Sequence, residues 1–219
     1  MTTVLITGAN RGIGLEMARL YTDRGDEVIA VCRRSSPELD GLDVQVIDNV
    51  DVSSDDSLIA LERALGGRRL DRLVNNAGIL ERNALENLDW SSIERQFRVN
   101  AIGPLRVTRA LLGNLGKGSK VFIITSRMGS IDDNTSGGSY GYRMSKAAVN
   151  MAGKSLSVDL EEAGIAVILL HPGWVATDMT GQTGIPVKES AQGLVRQMDR
   201  LGIEQTGTFW HQEGYPLPW

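Results

Sequence analysis

The feature of this chain that most restricts its fold is an alternation of short apolar runs with amphipathic helical segments. Runs such as Val4-Leu5-Ile6 contain no polar residue, which is typical of strands buried on both faces. The segments between the runs repeat apolar residues at helical spacing, as Ile13, Met17 and Leu20 do in the first. Strands that alternate with helices in this way predict a parallel sheet with helices on both faces.

The same pattern gives approximate bounds for each element. Strands are predicted at 3–7, 27–31, 44–47, 70–74, 120–125, 165–170 and 208–211. Helices are predicted at 12–24, 55–65, 90–112, 142–163 and 188–201, with a bend in the third at Gly103-Pro104. No repeat or linker marks a domain boundary. We therefore predict an α/β fold with one domain, 1–219, built as a Rossmann-type doubly wound parallel sheet.

Composition narrows the class of protein. The net charge is −4 and the 23 basic residues are dispersed, which argues against a nucleic-acid surface. The apolar runs are too short to span a bilayer, and the N-terminus does not resemble an export signal. The single Cys32 excludes a disulfide framework and a multi-cysteine metal site, and no metal is expected. These features predict a cytoplasmic protein that is not inserted in a membrane.

A glycine-rich turn follows the first predicted strand and opens the first helix. Its residues are Gly8, Asn10, Arg11, Gly12, Ile13 and Gly14. Glycines let the backbone approach a pyrophosphate, and a helix N-terminus supplies free N–H groups. The spacing is G-x-x-x-G-x-G, so an ordinary loop is the alternative, but the position between strand and helix favours a dinucleotide site.

Basic residues at the end of the second strand indicate which dinucleotide binds. An NAD site usually carries an acidic residue here, whereas this chain has Arg33 and Arg34, with Arg11 in the glycine turn. Three guanidiniums at one corner suit a 2′-phosphate, because arginine donates bidentate hydrogen bonds. Solvated surface arginines are the alternative. We predict NADP(H) as the cofactor.

Tyr142 and Lys146 are four residues apart, a spacing that places both side chains on one face of a helix. A phenol normally keeps its proton until about pH 10, and a neighbouring ammonium lowers that pKa. Ser126, at the end of the fifth strand, could orient a carbonyl or alcohol oxygen against the phenol. Tyr140 is a rival, but Met144 and not a basic residue lies four positions beyond it.

These motifs together resemble the short-chain dehydrogenase/reductase family over nearly the whole chain. They are the glycine turn, the Asn-Asn-Ala-Gly segment ending at Gly78, Asn100, Ser126, and Tyr142 with Lys146, in that order. Arg127-Met128-Gly129-Ser130-Ile131 and the closing segment 207–219 look like the C-factor/sniffer-like carbonyl reductase branch. The separation of Ser126 and Tyr142 is larger than in many members, and a polar loop over 132–139 can absorb the difference.

The resemblance implies roles for individual residues. It implies that Tyr142 donates or accepts the proton, that Ser126 binds the substrate oxygen, and that Lys146 lowers the tyrosine pKa and binds the nicotinamide ribose. Asn100 would bend its helix and complete a proton relay through a water. The further cofactor contacts implied are Asp51, Val52, Asn76, Ala77, Gly78, Pro172, Gly173, Val175 and Thr177. Read without the resemblance, Asp51-Val52 is an Asx turn and Asn76–Gly78 an ordinary turn.

The predicted function is an NADP(H)-dependent oxidoreductase that interconverts a carbonyl and an alcohol. The alternative is a dinucleotide-binding signalling protein of C-factor type with little turnover. The short segment 177–188 is expected to cover an open substrate site that admits several small carbonyl compounds. The resemblance also implies that the long helices form a homodimer or homotetramer surface. His171 and His211 are interpreted as structural, because neither has a nearby second histidine or cysteine in the sequence.

Overall fold

A computed structural model describes every residue from Met1 to Trp219, and its centre is one seven-stranded sheet. The strand order is β3-β2-β1-β4-β5-β6-β7, and every neighbouring pair is parallel. The strands are β1 Thr3–Thr7, β2 Glu27–Val31, β3 Gln45–Ile47, β4 Arg72–Asn75, β5 Lys120–Ile124, β6 Ala166–His171 and β7 Phe209–His211. The predicted Rossmann-type doubly wound sheet is confirmed.

Helices cover both faces of this sheet. They are α1 Gly12–Asp23, α2 Pro37–Asp40, α3 Asp55–Leu65, α4 Trp90–Phe97, α5 Gly103–Ala110, α6 Tyr140–Asp159 and α7 Val187–Arg200. Successive strand residues point to opposite faces, so Leu5 packs with α3, α5 and α6, whereas Val4 packs with α1 and α7. Two buried clusters, of 22 and 21 residues, result. None of the helices is long and apolar enough to cross a membrane.

The predicted helix over 90–112 is interrupted. A π-helical segment, Arg98–Ile102, separates α4 from α5, and the N–H of Gly103 donates to the carbonyl of Arg98, five residues earlier. Pro104 has no N–H to donate, which favours a change of helical pattern at this point. The helix is thus interrupted next to the predicted bend, on the segment that contains Asn100. Such π-segments are frequent at functional sites.

The C-terminal segment packs on its own sheet. The N–H of Leu217 donates to the carbonyl of Phe209 at 2.8 Å, and the Trp219 ring stacks on the Phe209 ring with centroids 5.8 Å apart. This segment therefore extends the edge of the sheet beside β7 and covers part of the core.

Strand order reverses between β1 and β4, because the chain builds outward from β1 in one direction and then from β4 in the other. Open α/β sheets form a crevice at such a point, outside the carboxyl ends of the strands. The loops that follow β1, β4, β5 and β6 all open into this region. The fold therefore determines where a ligand site can lie.

Candidate active site

A cleft of about 1050 Å³ lies at the carboxyl ends of the strands. Most of the predicted cofactor residues line it, namely Gly8, Asn10, Arg11, Gly12, Ile13, Gly14, Arg33, Arg34, Asp51, Val52, Asn76, Ala77, Gly78, Tyr142, Lys146, Pro172 and Thr177. Gly173 and Val175 are not part of the cleft surface, and neither are Asn100 and Ser126, which are buried. Residues far apart in sequence are therefore brought together as one surface.

The glycine turn has the geometry of a phosphate cradle. Gly8 and Gly12 have φ of 67° and 56°, in the left-handed region that favours glycine. A Cβ on Gly14 would lie 2.4 Å from the carbonyl oxygen of Gly8 and 2.5 Å from Nδ2 of Asn76. No side chain caps the N-terminus of α1, and Gly12, Ile13 and Gly14 of its first turn line the cleft. A pyrophosphate fits this arrangement of free donors at a positive helix end.

Hydrogen bonds of Thr7 connect the glycine turn to the end of β4. Its Oγ1 accepts the N–H groups of Asn76 at 3.0 Å and Ala77 at 3.1 Å. The Asn76 side chain donates in return to the carbonyl of Thr7 at 2.9 Å and of Gly8 at 3.2 Å. Sequence reasoning identified Asn76 as a cofactor contact and missed Thr7, although a hydroxyl at the start of the glycine motif was a usable signal.

The prediction that three arginines converge at one corner is wrong for Arg11. Arg33 and Arg34 are exposed on the cleft wall after β2, as expected. Arg11 instead pairs with Asp178 across the mouth of the cleft, with Nη1 and Oδ2 2.8 Å apart. The carboxylate of Asp178 comes from the loop after β6, which the sequence could not place opposite the glycine turn.

Asp51 forms the Asx turn that was the alternative to an adenine contact. Its Oδ1 accepts the N–H of Ser53 at 2.8 Å and the hydroxyl of Ser53 at 2.7 Å. The Ser53 hydroxyl is the largest influence that holds the pKa of Asp51 below its usual range, and the charge of Arg33 also lowers it. Because Asp51 also lines the cleft, the turn and a cofactor contact are compatible.

Tyr142 lies in the first turn of α6, and its phenol is buried beside Ser126. The loop after β5 approaches α6 so closely that a Cβ on Gly129 would lie 2.6 Å from the carbonyl carbon of Lys146. Burial raises the pKa of Tyr142 to about 12, and the neighbouring Ser126 hydroxyl acts in the opposite direction. The phenol is therefore protonated at neutral pH, which suits a proton donor.

Burial outweighs any effect of Lys146 on the pKa of Tyr142, and the predicted lowering of that pKa by the lysine charge stays a prediction. Nζ of Lys146 lies 5.7 Å from the Tyr142 ring centroid and donates to the carbonyl of Ile124 at 3.0 Å. The side chain is 5% exposed, and burial lowers the pKa of Lys146 to about 8. The ammonium thus faces a strand carbonyl and the phenyl ring. Loss of water is the largest influence on the pKa of both Tyr142 and Lys146.

Asn100 is buried, does not line the cleft, and connects two segments by hydrogen bonds. Its Nδ2 donates to the carbonyl of Ile79 at 2.8 Å and to Oγ of Ser145 at 3.0 Å, while its Oδ1 accepts the N–H of Ile79 at 2.8 Å. Ser145 in turn donates to the carbonyl of Tyr142 at 2.8 Å. The Asn100 side chain therefore joins the loop after β4 to α6, and its part in a proton relay stays a prediction. Sequence reasoning missed Ser145.

His171 and His211 end the last two strands and pack against each other. Their ring centroids are 5.1 Å apart, and Tyr215 stacks on His211 with centroids 4.6 Å apart. Nδ1 of His171 is buried without a hydrogen-bond partner. Burial, helped by the nearby His211, lowers the pKa of His171 to about 3. The imidazole is therefore neutral at physiological pH.

Acid should destabilise the fold through His171. The unfolded chain binds a proton near pH 6.5 and the folded chain only near pH 3, so stability is lost as pH falls below 6.5. We expect the free energy of unfolding to drop by about 2 kcal/mol between pH 7 and pH 5 through this group. Urea unfolding at the two pH values measures the drop. His171→Leu should show a correspondingly smaller drop, and an unchanged drop would rule out this source.

Comparison with known proteins identifies the family. A sequence model of the short chain dehydrogenase family matches residues 2–186, and the chain belongs to this family. It is 42% identical to the 1-hydroxy-2-glutathionyl-2-methyl-3-butene dehydrogenase of Rhodococcus sp. (strain AD45), over all of both chains. It is 47% identical to the C-signal protein of Myxococcus xanthus, over 68% of this chain and 93% of that protein.

Solved structures agree with this assignment. The fold matches an NADPH-bound carbonyl reductase from chicken fatty liver with a TM-score of 0.92 and 30% identity, covering 100% of this chain and 99% of that one. It matches the carbonyl reductase Sniffer of D. melanogaster with a TM-score of 0.91 and 30% identity over all of both chains. The resemblance to C-factor and sniffer-like carbonyl reductases is confirmed.

Proposed function

We propose that this chain is an NADP(H)-dependent oxidoreductase that interconverts a ketone or aldehyde and the corresponding alcohol. One observation carries the proposal: the buried Tyr142 and Lys146 line the same cleft as the glycine turn. A proton donor is thereby placed beside a dinucleotide cradle. The carbonyl reductases among the structural neighbours and the dehydrogenase among the relatives support this reading.

The residues present fit a nicotinamide dinucleotide. The glycine turn would hold the pyrophosphate, Asp51 and Val52 the adenine, and the segment after β4 the riboses. The remaining contacts in the proposal are Lys146, Pro172 and Thr177, which line the cleft. When bound, the cofactor supplies the hydride.

The chain's own part in the reaction is to orient the substrate and to move a proton. In reduction, the Tyr142 hydroxyl donates its proton to the substrate oxygen as the carbonyl becomes an alcohol; in oxidation it accepts that proton. Ser126 hydrogen-bonds the same oxygen and holds it against the phenol. Lys146 provides positive charge near the phenolate that remains. Asn100 acts as a positioning residue, because it fixes Ile79 and Ser145 around this pair.

Preference for NADP(H) should depend on Arg33. Arg33→Asp is expected to raise the KM for NADPH at least tenfold, because a charge-assisted contact with the 2′-phosphate is worth about 1.5–3 kcal/mol and the carboxylate repels the phosphate. The KM for NADH should fall or stay unchanged. Steady-state kinetics with both cofactors measures this, and Arg63→Asp, an equal charge change on the exposed side of α3, is the control. Equal use of both cofactors by wild type and variant would contradict the assignment.

A screen for NADPH consumption tests the activity. Aldehydes, ketones, diketones and quinones are offered to the wild-type protein, and Tyr142→Phe serves as the blank. The open substrate site proposed beneath segment 177–188 predicts turnover of several small carbonyl compounds. Strict selectivity for one large substrate would contradict an open site.

A second candidate function is dinucleotide-dependent signalling with little turnover. The 47% identity to the C-signal protein favours it. Against it, Tyr142, Lys146 and Ser126 form more machinery than binding alone requires. A biological role that survives Tyr142→Phe would support signalling over catalysis.

The proposal also includes a cytoplasmic location and an assembly of two or four copies. Met144, Met151 and Val158 are more than half exposed on α6, at a spacing that aligns them along one stripe. An exposed apolar stripe on a long helix is typical of an interface. The mass of the purified protein in solution tests the assembly.

A further inference from the structure

Two loops meet above the end of β5. Arg82, in the loop after β4, places Cζ 5.7 Å from the centroid of the Trp174 ring, in the loop after β6. Because β5 lies between β4 and β6 in the sheet, this contact crosses the carboxyl end of β5, where Ser126 follows. Arg82 and Trp174 therefore form a bridge between the loops on either side of β5.

Arg82 brings an uncompensated positive charge to this bridge. Two neighbouring charges on these loops are paired: Glu81 accepts from Nε of Arg95 at 3.0 Å, and Arg127 pairs with Asp133. Arg82 makes no ion pair and no hydrogen bond to another residue, and its only directed contact is with the Trp174 ring. A guanidinium in that state retains its donors for an anion.

Trp174 supplies a fixed apolar surface beside this charge. Its Nε1 donates to Oγ1 of Thr183 at 3.0 Å, and its carbonyl accepts the N–H of Ile185 at 2.8 Å, so both backbone and ring are anchored. Even so, Trp174 is 46% exposed, and Met179, on the cleft wall, is 40% exposed. A held aromatic ring next to a free guanidinium suits a ligand that is apolar at one end and anionic at the other.

We propose that Arg82 selects carbonyl substrates that carry a carboxylate, with the apolar body of the substrate against Trp174. This inference rests on the proposed function, since it names the substrate class of the same site. Arg82 acts on the bound substrate and not on the proton donor. Its removal therefore raises KM for acids and changes kcat little. The attraction is between partly exposed charges, so it weakens as salt is added.

A matched substrate pair tests the charge selection. Terephthalaldehydic acid and its methyl ester present the same aldehyde with and without a charge. Arg82→Met should lower kcat/KM for the acid about tenfold, mainly through KM, and leave the ester within about twofold. Arg82→Lys should restore most of the acid activity. The KM for NADPH should be unchanged in both variants. Arg109→Met, which removes a charge from the exposed side of α5, is the control.

The possible outcomes distinguish a failure of charge selection by Arg82 from a failure of the proposed reductase function. An equal loss with acid and ester would show that Arg82 only holds the bridge in place and would overturn charge selection. No loss with either substrate would overturn it as well, while turnover of the ester would leave the reductase assignment intact. If the wild-type protein failed to oxidise NADPH with any of the carbonyl compounds, the proposed function would be contradicted, and this inference with it.

Discussion

Tyr142→Phe should lower kcat for carbonyl reduction by about 10³-fold while NADPH binds nearly as tightly as in the wild-type protein. Positioned general acids contribute about 10²–10⁴-fold to rate, and phenylalanine has no proton to give. The ring itself is retained, so packing beside Ser126 and Lys146 changes little. Stopped-flow or steady-state NADPH oxidation measures kcat, and fluorescence titration measures the Kd for NADPH.

Tyr140→Phe is the matched control for this experiment. Tyr140 begins the same helix two residues earlier but is 37% exposed, whereas Tyr142 is 8% exposed. The control should keep full activity. Comparable losses in the two variants would contradict the assignment of Tyr142 as the proton donor, and so would an active Tyr142→Phe enzyme.

Lys146→Met should abolish most of the activity and make the protein more stable. Lowering the pKa from 10.5 to about 8 costs the folded state about 3 kcal/mol at pH 7, because the buried ammonium has lost its water. Methionine of similar length avoids that cost but leaves the Ile124 carbonyl without its partner, which offsets about 1 kcal/mol. We expect a net gain of about 2 kcal/mol in the free energy of unfolding, measured by urea denaturation.

The gain from Lys146→Met should depend on pH in one direction. The folded pKa lies below the unfolded value, so the wild-type protein is penalised fully below pH 8 and recovers as pH rises toward 10.5. The advantage of the variant should therefore shrink over that interval. Lys154→Met, at an exposed position on the same helix, should show neither the gain nor the pH dependence. A destabilised Lys146→Met at pH 7 would mean that the ammonium is better solvated than its burial indicates.

Much of this fold was predictable because its signals are local. Apolar runs predicted the bounds of β1 and β2 to the residue, and four-residue spacing placed Tyr142 and Lys146 on one helix face. The glycine turn was recognisable because a helix N-terminus must follow it. Such features depend on a few neighbouring residues and are therefore visible in the sequence.

The errors concern contacts between distant segments. Arg11 was expected beside Arg33, but Asp178, on a loop more than 160 residues away, draws it across the cleft. The pKa shifts of Tyr142 and Lys146 follow from burial by other segments, which the four-residue spacing does not reveal. Thr7 and Ser145 were missed because their hydrogen bonds join segments that only the folded sheet brings together.

The hydrogen bonds between Thr7 and Asn76 hold one half of the cleft in a fixed shape, so we expect the residues of the two halves to be replaceable independently of each other. Hydrogen bonds between side chains and backbone join the half with the glycine turn to the end of β4, so we expect this half to need no ordering when a cofactor binds. The carbonyl half is shaped by side chains on the loops after β4, β5 and β6. Exchanging those loops between relatives should therefore transfer the substrate preference and leave the affinity for the cofactor unchanged.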